Sequence, residues 1–258
     1  LSARIQEEIY FHALTASCEL AEREGAHANF ADTRVAHGQF QFDLWGVEPS
    51  DAARWQQLRE RILNCGLRNS LLIAIAPTAT IASIAGCYEC IEPQISNLFK
   101  RETLSGEFLQ VNRYLIEELK QRNLWNDDMR QRLKLSEGSI QNIAELPDDI
   151  KQIYRTVWEV PMRSLIDMAR ARNAYIDQSQ SLNLFVEAPN IGRLSSMYMY
   201  AWKQGLKTTY YLRSRPATRI SKTTVAVNSA ANKAPVMESA SAAVACSLEN
   251  PGACEACQ

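Results

Sequence analysis

No stretch of this sequence stays apolar for the roughly 18 consecutive residues that a membrane-spanning helix needs, which leaves no candidate for such a helix. The opening Leu1-Ser2-Ala3-Arg4-Ile5 lacks the basic, apolar and small-residue order of a secretory signal, so a soluble, cytoplasmic protein is expected. An excess of one charge is missing as well. With 28 Lys and Arg against 29 Asp and Glu the net charge is -1, and no basic field exists to attract nucleic acid or a membrane surface. There is no initiator methionine, and Ile5, Ile9, Leu14 and Leu20 follow an approximate helical stripe from the start, so a chain entered in mid-protein is expected. A disulfide pattern is absent too: seven cysteines, an odd number without a secretory signal, disfavour a structural framework of bridges.

What is present suits a folded chain. At 258 residues, 46% of them hydrophobic, there is enough material for one large core or two modest ones. Ser50 is placed to cap a helix that carries Trp55, Leu58, Ile62 and Leu63 on one face and stops at Gly66. The apolar run 70–76, bounded by Asn69 and Pro77, predicts a strand buried on both faces. Helices are predicted around Val111, Leu115 and Leu119, then around Ile150, Ile153, Tyr154 and Val157 as far as Pro161. Two more should carry Leu165 and Met168, and Leu194, Met197, Ala201 and Trp202, the last closed by Gly205. Strands are expected at 182–186 and 207–212, and this alternation argues for an α/β architecture. After Arg219 the texture changes. Residues 220–258 hold no aromatic side chain and are rich in Ala, Ser, Thr and Asn, a composition that cannot offset its ordering entropy. The expected division is a folded unit at 1–219 and a mobile tail at 220–258.

Three constellations could carry chemistry. Pro77-Thr78-Ala79-Thr80-Ile81 follows the expected strand and opens a short helical run, where free amides, hydroxyls and the positive end of a helix dipole could meet an anion. A plain Thr-capped helix start is the competing reading. The stretch has no glycine-rich cradle and no lysine, which excludes a triphosphate P-loop. Tyr210-Tyr211 would point to opposite faces of a regular strand, one ring in the core and one at the rim. Held in contact by an irregular backbone, they could instead pass an electron and a proton as a pair. Cys254-Glu255-Ala256-Cys257 sits near the end of the tail, where a dithiol on a tether could exchange with a buried disulfide and then with an external reductant. A zinc site built from Cys87, Cys90, Cys254 and Cys257 is the rival, and no resident metal is the expectation.

The motifs in order are Arg68-Asn69-Ser70-Leu71-Leu72, Pro77-Thr78-Ala79-Thr80, Ile91-Glu92-Pro93, Ser96-Asn97, Leu104-Ser105-Gly106-Glu107-Phe108, Ile176-Asp177-Gln178-Ser179-Gln180-Ser181, Gly205-Leu206-Lys207-Thr208 and Tyr210-Tyr211-Leu212-Arg213. Over essentially its whole length the chain therefore resembles the large subunits of class I ribonucleotide reductases. Its ending, Ala245-Cys246-Ser247-Leu248-Glu249-Asn250-Pro251 with Cys254 and Cys257, is similar to the eukaryotic-type tail.

The resemblance implies the C-terminal part of a ten-stranded α/β barrel followed by a flexible tail. It implies that Thr78, Ala79, Thr80 and Ile81 bind the substrate diphosphate, that Tyr210 and Tyr211 relay a radical, and that Cys254 and Cys257 form the tail dithiol. Reach is sufficient: the ~34 residues between Ile220 and Cys254 span about 30 Å r.m.s. as a flexible chain. The implied activity is reduction of ribonucleoside diphosphates for DNA precursor supply. The implied partners are a small subunit that supplies a dimetal-tyrosyl radical, thioredoxin or glutaredoxin as reductant, and a second copy in a homodimer or larger assembly. No cofactor is expected on this stretch itself, and ATP or dNTP effectors would bind an N-terminal portion that it lacks. The radical-bearing cysteine and the substrate-reducing pair also belong to earlier segments, so this stretch alone is expected to be inactive. One position departs from the pattern, Cys90 standing where the family has Ser. A non-catalytic redox or subunit-interaction module is the alternative from another class, and a cobalamin-dependent reductase is a second enzymatic one, against which the tyrosine pair argues.

Overall fold

The computed structural model describes residues 1–103 and 106–215. The expected boundary at 219/220 and the whole of the tail, with Cys246, Cys254 and Cys257, lie outside the described residues.

Helix α1 (Ser2–Glu24) packs against α3 (Ala52–Cys65) and α8 (Met162–Asn173). Its buried face is Gln6, Glu7, Tyr10, Leu14, Ser17, Cys18 and Ala21, whereas Ile5 and Ile9 are exposed. The expected apolar stripe was therefore rotated, because this face contains polar residues with buried partners. Glu7 accepts from the Ser50 amide at 2.7 Å, the Ser50 hydroxyl at 3.0 Å and the Trp55 indole at 3.0 Å. Ser50 is thereby drawn away from the helix it was expected to cap. Asp51 caps α3 instead, accepting from the Arg54 amide, and Gly66 ends the helix at a φ of 78° as expected. On α3, Trp55, Leu58 and Ile62 are buried, while Leu63 is 48% exposed. With Phe40, Phe42 on the short α2 (Gln41–Leu44), and Tyr175, they complete an aromatic core around Trp55.

The short helix α4 (Ala79–Ala85) leads to an antiparallel hairpin, β1 (Leu98–Thr103) and β2 (Gly106–Val111), that the sequence pattern did not announce. Val111 thus ends a strand and does not begin a helix. Next come α5 (Arg113–Gln121), α6 (Asp127–Leu135) and α7 (Asp148–Ile153), which bury Leu115, Leu119, Leu133, Ile140 and Ile150 together in a separate core. Pro161 stands directly before α8, since its ring is tolerated at a helix start and not inside one. Strand β3 (Leu184–Val186), α9 (Ile191–Lys203) and β4 (Leu212–Ser214) complete the order. The third core, between α8, β3 and α9, contains Leu165, Ile166, Leu184, Phe185, Met197 and Ala201.

Strands β3 and β4 pair in parallel, Leu184 level with Leu212, so the second strand starts later than the expected 207–212. The predicted strand at 70–76 is reduced to one parallel bridge, Ile75 with Gln180. Leu71 is 54% exposed, so this run is not buried on both faces. A strand needs neighbours, and among the described residues only the segment following Asp177 runs beside it. Three extended segments thus lie side by side in the order 72–76, 178–186 and 210–214, all parallel.

Candidate functional site

The first segment is anchored by Asp177, whose carboxylate accepts from the amides of Leu72 and Ile73, both at 2.8 Å. Further along, the Ile75 amide donates to the Ser179 carbonyl and the Ser181 amide donates to the Ile75 carbonyl. The backbone then turns. Thr78 sits at φ 53° in the left-handed region, an outlier for a β-branched residue and a cost of order 1 kcal/mol or more that the surroundings must hold in place.

Thr78 is the N-cap residue of α4, but its side chain makes no capping bond; its hydroxyl accepts from the Cys90 amide at 3.5 Å. The first helical bond runs from the Ala82 amide to the Thr78 carbonyl. By helix geometry the amides of Ala79, Thr80 and Ile81 have no acceptor within the helix, and all three residues are exposed. A cleft of about 360 Å³ opens beside this turn, lined among others by Gln6, Ile75, Thr78, Cys90 and Ile91.

Support comes from behind the turn. Cys90 is itself at φ 61°, and next along the chain but one is Glu92, buried at 7% exposure. The Glu92 carboxylate accepts from the Asn183 amide at 2.8 Å and from its side-chain amide at 3.3 Å. Asn183 lies on the middle extended segment, so the turn is braced against the sheet through Cys90 and Glu92. Burial, and after it the Glu92 charge, push the Cys90 thiol up to about 12. Cys87 is exposed, and among the described residues neither cysteine belongs to a three-ligand cluster that could hold a metal.

The tyrosine pair lies on the far side of the middle segment, two strand spacings or roughly 10 Å across. Its backbone explains its geometry. Regular parallel pairing carried back from Leu184 and Leu212 would have the Tyr211 amide donate to the Leu182 carbonyl. The Tyr210 amide makes that bond instead, at 2.7 Å, while the Leu184 amide donates to the Tyr211 carbonyl at 2.8 Å. This strand therefore carries one extra residue, a bulge, which cancels the alternation and turns two successive side chains to one side. The rings lie 3.9 Å apart between centroids, and the Tyr210 hydroxyl donates to that of Tyr211 at 3.0 Å. That bond raises the Tyr210 phenol above its ordinary range. Both rings are about half exposed, Tyr210 at 42% and Tyr211 at 52%.

Other supporting residues stand in the sequence motifs without a role of their own assigned there. Lys207 donates to the carbonyls of Ile176 and Gln178, at 3.4 and 2.9 Å, and Thr208 to that of Gln180 at 2.8 Å, which ties the approach to the tyrosines onto the middle segment. The buried Gln180 links Ala169, Asn173 and Arg172. The available signal was the polar string Asp177-Gln178-Ser179-Gln180-Ser181 placed directly before a buried strand, where an apolar run would otherwise be expected.

Comparison with known proteins gives a consistent picture. Residues 1–212 match the family model described as ribonucleotide reductase, barrel domain. The chain is similar to the ribonucleoside-diphosphate reductase large subunit of Caenorhabditis elegans, 50% identical over 88% of this chain and 29% of the relative. It is similar to the corresponding large chain of Schizosaccharomyces pombe, 42% identical over 100% of this chain and 35% of the relative. A Variola virus large subunit is 48% identical over 84% of this chain and 28% of the relative. Among solved structures, the alpha subunit of the Actinobacillus ureae class Id ribonucleotide reductase superposes with a TM-score of 0.62 at 28% identity, covering 84% of this chain and 34% of that one. The chain thus spans about a third of the length of the relatives it matches.

Proposed function

The chain belongs to the ribonucleotide reductase barrel-domain family, and from that membership we propose that it is the C-terminal portion of a large subunit that reduces ribonucleoside diphosphates to 2′-deoxyribonucleoside diphosphates. At the sugar the 2′-hydroxyl is replaced by hydrogen and leaves as water, while two thiols are oxidised to a disulfide. In this scheme the amides of Ala79, Thr80 and Ile81, with the hydroxyls of Thr78 and Thr80, hold the substrate diphosphate at the positive end of α4. The left-handed Thr78 aims that turn. Tyr210 and Tyr211 pass an electron and a proton between their phenols, toward and from a small subunit that carries a dimetal-tyrosyl radical. Cys254 and Cys257 re-reduce the disulfide and are recharged by thioredoxin or glutaredoxin. ATP or dNTP effectors act on a part of the large subunit outside this stretch, and the complete subunit works as a homodimer or larger assembly.

The observation that carries this reading is the tyrosine pair. A bulge turns two neighbouring phenols to one side, where they share a 3.0 Å hydrogen bond with both rings about half exposed. The test uses the complete large subunit with its small subunit. Tyr210→Phe and Tyr211→Phe keep the ring but remove the phenolic O–H, so each should lower turnover by ~10²-fold or more at unchanged substrate affinity. Activity within about twofold of the parent for either variant would reject the relay. Thr80→Glu, which puts a negative charge where the diphosphate should lie, is expected to weaken diphosphate binding, and equal affinity would remove the anion role of the turn.

A further inference from the structure

We propose that Cys18, Glu22 and Cys65 form a binding site for a thiophilic divalent cation of the zinc class, held between α1 and α3. Cys18 and Glu22 are one helical turn apart on α1, so their side chains leave the same face. Cys65 is the last residue of α3, the helix packed against that face. One donor atom from each of the three lies within 4.8 Å of the other two, and the Cys65 sulfur is 3.5 Å from Glu22 Oε1. In a tetrahedral zinc centre with Zn–S near 2.3 Å and Zn–O near 2.1 Å, neighbouring donors stand ~3.6–3.8 Å apart. The Cys65–Glu22 spacing therefore already matches such a pair, and the other two pairs exceed it by no more than about 1 Å.

Charge supports the assignment. Two thiolates, one carboxylate and a divalent ion sum to one negative charge. Arg61 offsets it, donating from Nε to Glu22 Oε1 at 2.7 Å and from a terminal nitrogen to Oε2 at 2.8 Å. Such a hydrogen bond to a ligating carboxylate is the usual outer support of a metal site. Cys18 is fully buried and Glu22 exposed, so the ion would sit at the mouth of the α1/α3 seam, with its fourth position open to water. Binding releases the two thiol protons to solvent, with no change of oxidation state.

The test uses the full reduced chain with Cys87, Cys90, Cys246, Cys254 and Cys257 replaced by serine, so that only the two candidate thiols remain. Titration with Co²⁺ should produce sulfur-to-cobalt charge transfer and the intense visible bands of a tetrahedral ion, both erased by Zn²⁺. Cys65→Ser and Glu22→Gln change half-exposed and exposed positions and should leave the helical circular dichroism intact while weakening Co²⁺ and Zn²⁺ binding by roughly tenfold or more. Glu19→Gln, one turn away on the same helix, should change affinity by less than about twofold. Absence of charge transfer overturns the proposal. Binding that Cys65→Ser and Glu22→Gln leave unchanged, or that Glu19→Gln weakens as much, does the same.

Discussion

At the scale of single residues, two backbone outliers and one buried carboxylate define the turn before α4. Thr78 and Cys90 both have positive φ, and the Cys90 amide hydrogen-bonds the Thr78 hydroxyl. Glu92 behind them is satisfied by Asn183. The Cys90 thiol, pushed up to about 12 by burial and then by Glu92, stays protonated at ordinary pH. Since the thiolate is the reactive form, Cys90 should alkylate far more slowly than the exposed Cys87 at pH ~8, and peptide mapping after a timed iodoacetamide pulse reads the ratio. Equal rates would show that Cys90 is not held in this environment. The same shift has a sign for stability. A folded pKa above the ordinary 9.0 stabilises the native state below pH 9, and that contribution is lost as pH rises toward 12. Alkaline unfolding of Cys90→Ser should therefore begin at higher pH than that of the parent, relative to each protein's neutral stability.

Among the elements, helix ends carry local information that can be checked one at a time. Asn190 caps α9 by accepting from the Arg193 amide at 2.8 Å, so Asn190→Ala should cost ~1 kcal/mol in urea unfolding. A larger effect is expected at Gly138, after α6. Its φ is 82°, and a Cβ there would collide with the Ser96 hydroxyl and approach the Leu98 amide nitrogen to 2.7 Å. Left-handed strain and overpacking together predict about 2–5 kcal/mol for Gly138→Ala, with the hairpin β1/β2 loosened first in hydrogen exchange. Stability near that of the parent would mean that the Ser96-Asn97 segment does not press on this turn. The bulge before β4 is the functional counterpart of these devices. Deleting Thr209 should restore regular pairing, separate the two tyrosine rings to opposite faces and, in the complete subunit, abolish turnover without loss of fold.

For the whole molecule, the chain spans about a third of its relatives' length, and the described residues form three hydrophobic cores and a three-segment parallel edge. The isolated chain should therefore show no diphosphate reduction even with a small subunit present, and measurable turnover would show that it contains more of the machinery than proposed. In the complete subunit, Cys254→Ser with Cys257→Ser should block thioredoxin-driven cycling yet preserve the first turnover of pre-reduced enzyme, while a small dithiol restores cycling. Loss of that first turnover would make these cysteines directly catalytic. Sequence alone determined the family, through ordered motifs, and those boundaries that rest on local chemistry: Pro161 before α8, Gly66 after α3, and the alternation of helices with strands. It singled out Thr78 and Tyr210-Tyr211 as candidate site residues. What only tertiary structure decided are the features that depend on distant partners. Ile5 and Ile9 face outward because Glu7 is claimed by Ser50 and Trp55, which lie more than 40 positions away. The run 70–76 is barely a strand because pairing requires neighbours, and only Gln180 bridges to it among the described residues. The two phenols touch because one extra residue against Leu182 and Leu184 breaks strand alternation, and a register is a property of two segments that neither segment's sequence contains.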